Sequence, residues 1–217
     1  MRVAEKFVSI NGEGQKAGEL SVFVRFTGCN LDCSYCDTKW ANEKDCPYDE
    51  MSPQDIYKYI LSTNVNNVTL TGGEPLIHEN IFDLINILSN DKNLNVEIET
   101  NGSVDIKKIK ELDNPPSITL DYKSAYSGME NKMLMSNYEY LDERDTVKFV
   151  SGTLEDLKKA KFVIDNYIKK AKAYISPVFG AIEPSQIVRF MIDNNMNNVR
   201  LQLQLHKFIW DPDKKGV

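Results

Sequence analysis

Gly28-Cys29-Asn30-Leu31-Asp32-Cys33-Ser34-Tyr35-Cys36-Asp37-Thr38 follows directly on Ser21-Val22-Phe23-Val24-Arg25-Phe26-Thr27. In the earlier segment Val22, Val24 and Phe26 share one face and Phe23 takes the other, which predicts a strand over 21–27. The later segment carries three cysteines spaced C-x3-C-x2-C in a polar, glycine-containing stretch. A loop of that kind can point three thiolates at one centre, whereas the fixed period of a helix or strand cannot. A strand that ends in a ligand-bearing loop is the layout of an α/β chain, which binds its ligands at the carboxyl ends of its strands.

Patterns on either side agree. Ser52-Pro53-Gln54-Asp55 has the marks of a helix start: Ser52 as N-cap, Pro53 at the first helical position and Asp55 closing back. Ile56, Tyr59 and Ile60 then line one stripe. Further strands are expected over 67–71, 95–100, 117–122, 146–150, 173–176 and 198–203. Helices are expected over 79–88, 105–112, from Thr153 through Leu157, Ala160, Ile164 and Ile168, and over 184–194. Repeated strand–helix units of ~25–30 residues imply parallel strands joined by right-handed crossovers, in a sheet that closes wholly or partly into a barrel or stays open. Nothing resembling a linker or repeat divides the chain, so one domain over 1–217 is expected. Residues 123–137 form the least regular stretch, expected to be a mobile or inserted loop.

Composition sets the outer limits. The 217 residues are 41% hydrophobic and 27% charged, which excludes a disordered, collagen-like or disulfide-dense chain. Lys+Arg 26 against Asp+Glu 32 leaves −6. That balance argues against nucleic-acid binding through phosphate neutralisation. No apolar run reaches the ~18 residues of a membrane span, and the charged, alternating residues 1–10 do not have the apolar stretch of a secretory signal. A cytoplasmic chain is expected, where the four cysteines are metal ligands, catalytic groups or core residues rather than disulfides.

Clustered thiolates suit zinc or an iron–sulfur cluster. A structural zinc site and an electron-transfer cubane each use four protein ligands, so three on a four-iron cube leave one iron open to an outside ligand. The competing reading is a zinc knuckle completed by Cys46 or a histidine. Cys46, before Pro47 in a charged loop, is an isolated thiol by default. The next strand ends in Thr71-Gly72-Gly73-Glu74-Pro75. Its paired glycines allow close backbone approach to a ligand, and Glu74 can accept from a cation. Alone this is a sharp turn, and Glu99-Thr100-Asn101-Gly102 alone is an ordinary turn signal. In register at successive strand ends they read as walls of one cavity.

The cysteine spacing at a strand end resembles that of the radical S-adenosylmethionine enzymes. The resemblance implies that Cys29, Cys33 and Cys36 hold a [4Fe–4S] cluster, that S-adenosylmethionine completes the open iron, and that Gly72, Gly73 and Glu74 hold its methionyl amino group. Two further segments, Ile10-Asn11-Gly12-Glu13-Gly14 and Gln204-Leu205-His206-Lys207-Phe208-Ile209-Trp210, narrow the match. With Val24-Arg25 and the motifs above, they resemble the family of 7-carboxy-7-deazaguanine synthases, which act in queuosine biosynthesis.

That family implies a partial, trimmed β/α TIM-like barrel, with 204–217 closing the substrate site. It also implies contraction of 6-carboxy-5,6,7,8-tetrahydropterin with loss of ammonia. Around the cofactor it places Tyr35, Cys36, Asp37, Gly72, Gly73, Glu74, Asn101, Lys123 and Ser176. Around the substrate it places Ile10, Asn11, Gly12, Arg25, Thr71, Glu99, His206 and the carboxylate of Val217, with Glu99 and His206 as the catalytic pair. Thr38 would bind Mg²⁺, a flavodoxin or ferredoxin would supply electrons, and the chain would form a homodimer. Asn11 stands where the family usually has Gln, and Asp121-Tyr122 precedes Lys123 where many members carry Ser-Pro.

The residue chemistry agrees independently. Arg25 can fork a carboxylate, His206 can titrate near neutral pH, and Glu99 can accept from ring N–H groups. The rival readings are a small enzyme that activates a glycyl radical on a partner protein, and a zinc-stabilised binding module.

Overall fold

A computed structural model describes residues 1–212 and 214–217. Its strands are β1 (Arg2–Ile10), β2 (Leu20–Phe26), β3 (Asp49–Glu50), β4 (Asn67–Gly72), β5 (Asn95–Thr100), β6 (Ser117–Tyr122), β7 (Thr146–Ser151), β8 (Lys172–Pro177) and β9 (Val199–Leu201). They form one sheet in the order β3-β1-β2-β4-β5-β6-β7-β8-β9. From β2 to β9 each neighbour is parallel, while β1 runs antiparallel to β2 and β3. The edge strands β3 and β9 do not pair among the described residues, so the sheet is a curved, unclosed version of a β/α barrel.

The helices are α1 (Pro53–Ser62), α2 (Ile81–Asn90), α3 (Lys107–Lys110), α4 (Leu154–Tyr167), α5 (Pro184–Asp193) and α6 (His206–Ile209). The expected start of α1 is present: the Asp55 N–H donates to Ser52 Oγ at 3.1 Å, and Pro53 opens the helix. Thr153 and Asp156 close a reciprocal capping box at the start of α4. Caps of this kind are worth about 0.5–2 kcal/mol each.

Parallel strands covered by helices usually read as continuous apolar runs. Here they alternate. Val22, Val24 and Phe26, then Val68 and Leu70, Ile98, Ile118 and Leu120, Val147 and Ile175 join the buried core beneath the helices. Each such aliphatic side chain contributes about 1.5–3 kcal/mol on full burial. The intervening positions carry Arg25, Thr69, Thr71, Glu97, Glu99, Thr119, Asp121, Lys148 and Ser176, on the concave face. The inside of this half-barrel is therefore polar.

The β1–β2 loop runs across the amino ends of the strands. Gln15 donates to the Asp145 carbonyl at 3.0 Å and accepts from Lys172 at 2.7 Å, and Lys16 donates to the Asn95 carbonyl at 3.1 Å. The Gln202 side chain, just past β9, takes both the N–H and the C=O of Gly14, at 2.8 and 2.9 Å.

The structure departs from expectation in two places. Residues 2–10 form the longest strand of the sheet, because Glu5 and Lys6 find partners in Arg25 and Asp49 across the ladder. Residues 123–137 form a packed series of 3₁₀ turns rather than a loose insertion. Asn137 is buried, donates to the carbonyls of Gly102 and Val104 and accepts from the Ile106 N–H.

Candidate active site

A cavity of about 460 Å³ opens at the carboxyl ends of the parallel strands. Cys29, Cys33 and Cys36 all reach its wall, and their thiols are free. The loop that carries them is anchored on both sides. The Gly28 N–H donates to the Ala41 carbonyl at 3.0 Å, the Ser34 N–H to Ser127 at 3.1 Å and Ser34 Oγ to the Tyr126 carbonyl at 2.6 Å. The Asn101 amide donates to Cys29 Sγ at 3.6 Å and that of Asn42 to Cys36 Sγ at 3.9 Å. Burial pushes the Cys29 and Cys33 thiols up, so metal binding there releases protons.

Among the described residues no three His, Cys, Asp or Glu side chains gather tightly enough to hold one metal ion. The three thiols share the wall of one cavity, and Cys29 and Cys36 act electrostatically on Cys33. Three soft donors leave one corner of a four-iron cluster open, whereas a structural zinc site collects four. Cys46 is buried outside the cavity wall, its thiol on the Pro47 carbonyl at 3.3 Å.

The β4 turn lines the cavity with Gly72 and Gly73 and packs on the cysteine loop. Gly72 and Gly73 are required by the chain itself: a Cβ on Gly73 would land on the Gly28 carbonyl and the Asn42 amide, and one on Gly72 (φ 145°) on the Phe26 backbone. The glycines let this turn press against the base of the cysteine loop, with Gly73 N–H on the Phe26 carbonyl at 3.1 Å and Glu74 N–H on Gly28 at 2.9 Å. Glu74 lies beneath the turn rather than on the cavity wall. It is fully buried and accepts from Leu76 N–H at 3.0 Å, Thr100 Oγ1 at 2.9 Å and Asn101 N–H at 2.7 Å, which fastens the β4 and β5 ends together. Burial still pushes its carboxyl up to about 7 against those bonds.

Tyr35 lines the cavity and stacks on Tyr126, with centroids 6.1 Å apart. Its hydroxyl is buried with no partner among the described residues, and burial pushes it up to about 12. An orphaned donor beside three thiols and the glycine turn fits a polar ligand next to a cluster. Asn101, Asp37 and Lys123 lie on the same wall. Thr38 does too, and its hydroxyl makes no capping bond and sits 3.8 Å from Cys36 Sγ.

The rest of the cavity is a chain of charges. Lys123 Nζ lies 3.0 Å from Asp121 Oδ2, and Lys148 Nζ lies 3.1 Å from Asp121 Oδ1 and 3.1 Å from Glu13 Oε2. Burial disfavours both ammonium charges, yet the carboxylates around them outweigh it and raise both lysines. Glu13 also accepts from Ser176 Oγ at 3.3 Å and Gln204 at 3.4 Å. Ser176 is fully buried and reaches the cavity only through Glu13. Glu99 sits on the wall, where burial pushes it up to about 7, with Lys148 opposing and Glu97 adding to the shift.

At the other end, Phe7 and Phe23 stack across β1 and β2 at 5.1 Å. Arg25 Nε donates to Glu5 Oε1 at 2.7 Å. Ile10, Asn11, Gly12 and Thr71 line the cavity, with the Asn11 amide on Glu97 at 3.1 Å. His206 packs so closely on Gly12 that an added Cβ would lie 2.5 Å from its Nδ1, and the Leu205 N–H donates to the Gly12 carbonyl at 3.1 Å. Burial lowers the His206 value, which keeps the ring neutral at pH 7. The tail returns over the cavity: Lys215 Nζ lies 4.0 Å over the Trp40 ring, and Gly216 and Val217 reach the wall.

The expected residues thus converge, apart from Glu74 and Ser176. Glu13, Lys148 and Asn42 had not been assigned to the site. The signal for Lys148 was a charged residue at an inward position between the apolar Val147 and Phe149.

The Radical SAM superfamily model matches residues 23–168. A 7-carboxy-7-deazaguanine synthase of Clostridium acetobutylicum is 57% identical over 218 residues, covering 100% of this chain and 99% of its own length. One of Methanospirillum hungatei JF-1 is 37% identical over 214 residues, covering 98% and 86%. The crystal structure of QueE from Escherichia coli superposes with a TM-score of 0.76 at 23% identity, covering 94% of each chain, which supports the fold.

Proposed function

The chain belongs to the radical SAM superfamily and, within it, to the 7-carboxy-7-deazaguanine synthases; from that premise we propose that it converts 6-carboxy-5,6,7,8-tetrahydropterin to 7-carboxy-7-deazaguanine with release of ammonia. The change is redox-neutral overall: one ring nitrogen leaves as ammonia and the ring contracts. As a radical SAM enzyme it works with a [4Fe–4S] cluster and S-adenosylmethionine, which when bound supply the one-electron chemistry that opens a C–H bond of the substrate. Cys29, Cys33 and Cys36 are the residues that would hold the cluster, with Tyr35, Asp37, Gly73, Asn101 and Lys123 around the cofactor.

The protein's own groups supply binding and proton handling. Arg25, held through Nε by Glu5, directs its remaining N–H donors to the substrate carboxylate. The Phe7–Phe23 pair offers a flat apolar wall to a bicyclic ring. Glu99, near 7, exists in both protonation states at neutral pH, so it can accept from a ring N–H or return a proton. Neutral His206 accepts a hydrogen bond from the opposite edge.

Thr38 would share Mg²⁺ with the substrate carboxylate, a hard oxygen set suited to that ion. The segment 204–217 would close the site. We place the enzyme in the cytoplasm, where thiols stay reduced. There it would act as a homodimer supplied with electrons by a flavodoxin or ferredoxin.

The observation that carries this reading is the meeting, in one cavity, of three thiols at the β2 end with Arg25, Glu99 and His206. Cys33→Ala is expected to lose both bound iron and turnover, and Cys46→Ala to keep both. Iron and sulfide analysis of anaerobically reconstituted variants tests this. Loss of the cluster in Cys46→Ala would overturn the three-cysteine assignment.

A further inference from the structure

Two groups of polar residues meet at the cavity, and the side chain of Lys148 touches both. Gln204 and Ser176 donate to Glu13, on the side where Gly12 and His206 meet. Lys123 donates to Asp121, on the side of Tyr35 and the cysteines. Lys148 Nζ lies 3.1 Å from Glu13 Oε2 and 3.1 Å from Asp121 Oδ1, and its side chain is only 8% exposed. The three belong to separate parts of the fold: Glu13 comes from the β1–β2 loop, Asp121 from β6, and Lys148 from β7, directly opposite Asp121 in register.

An ammonium shared by the buried Glu13 and the part-buried Asp121 cannot move toward one without leaving the other. In a low-dielectric wall, leaving a charge unpaired is costly. A ligand that fixes Glu13 therefore fixes Lys148, and through it the orientation of Asp121 and Lys123.

We propose that Lys148 is a positioning residue that couples the two ends of the cavity, so that the pterin and S-adenosylmethionine bind cooperatively through it. The inference rests on the substrate assignment above and adds a residue and a thermodynamic property to it. Coupling between two sites is reciprocal, so either ligand can report it. Glu13→Gln and Asp121→Asn each cut one arm of the bridge and are expected to reduce the coupling while both ligands still bind.

The test is calorimetric titration of the anaerobically reconstituted enzyme with S-adenosylmethionine, with and without saturating carboxytetrahydropterin. The unaltered enzyme is expected to bind S-adenosylmethionine on the order of tenfold more tightly when the pterin is present. Lys148→Met is expected to bring that ratio close to one. Should Lys148→Met fail to fold with Glu13 left without a cation, Lys148→Met/Glu13→Gln removes that charge and carries the same prediction, because Asp121 keeps Lys123. A ratio in these variants equal to that of the unaltered enzyme would overturn the proposal, as would a ratio of one in the unaltered enzyme. In that last case measurable pterin affinity leaves the substrate assignment standing, whereas no pterin affinity overturns both.

Discussion

Glu74 braces two loops at once, and the way it does so makes its identity testable. Both of its oxygens accept, one from Leu76 and Thr100 and the other from the Asn101 N–H. A glutamine must turn an NH₂ group toward one of these donors. Glu74→Gln is therefore expected to lower stability by about 1–3 kcal/mol in anaerobic denaturant unfolding. Burial holds the folded carboxyl at about 7, above its ordinary 4.5, so the folded state keeps a proton that the unfolded chain has lost. That preference stabilises the parent less and less as pH rises from about 4.5 to 7, and the gap between parent and variant should narrow over the same window. A constant gap would contradict the assignment. The cysteines, Arg25 and Asn101 were legible because spacing or a strand-end position marks them. Glu13 and Lys148 were not: they are 135 positions apart, and only the path of the β1–β2 loop brings them together.

The alternation of the parallel strands shows which side of the sheet holds the chemistry, because aliphatic residues feed the helical layer and the polar residues between them feed the cavity. The same contrast explains what the sequence concealed. Strand β1 was hidden by charges at Glu5 and Lys6 that are paired only once β2 and β3 lie alongside. The glycine pair after β4 was legible as a close approach, but the partner in that approach is the cysteine loop. Gly12 plays a similar part in the β1–β2 loop, against the ring of His206. Gly12→Ala should push that ring away, raising the KM for the pterin by about tenfold or more while leaving S-adenosylmethionine affinity unchanged. Steady-state kinetics beside a binding titration checks this, and equal weakening of both ligands would show that the loop does not belong to the substrate end.

Taken together, the molecule is a half-barrel whose missing wall is supplied by the chain's own extremities. The β1–β2 loop crosses the amino ends of the strands, and the residues after β9 return over the mouth, with Leu205 on Gly12 and Lys215 on Trp40. The parallel α/β arrangement could be read from the repeated strand–helix units. The closure by 204–217 came from the family resemblance and not from local pattern, because it depends on contacts of residues 12–14 with residues 202–206. A cavity built this way is lined by three thiols and by an arginine, an aromatic pair and a histidine. That layout is the basis for assigning a small carboxylated bicycle as the substrate. Anaerobic turnover of the reconstituted enzyme with 6-carboxy-5,6,7,8-tetrahydropterin, S-adenosylmethionine and a one-electron reductant tests this most directly. The expected products are 7-carboxy-7-deazaguanine and ammonia in equal amounts; an enzyme with its cluster intact that returns the pterin unchanged would overturn the substrate assignment.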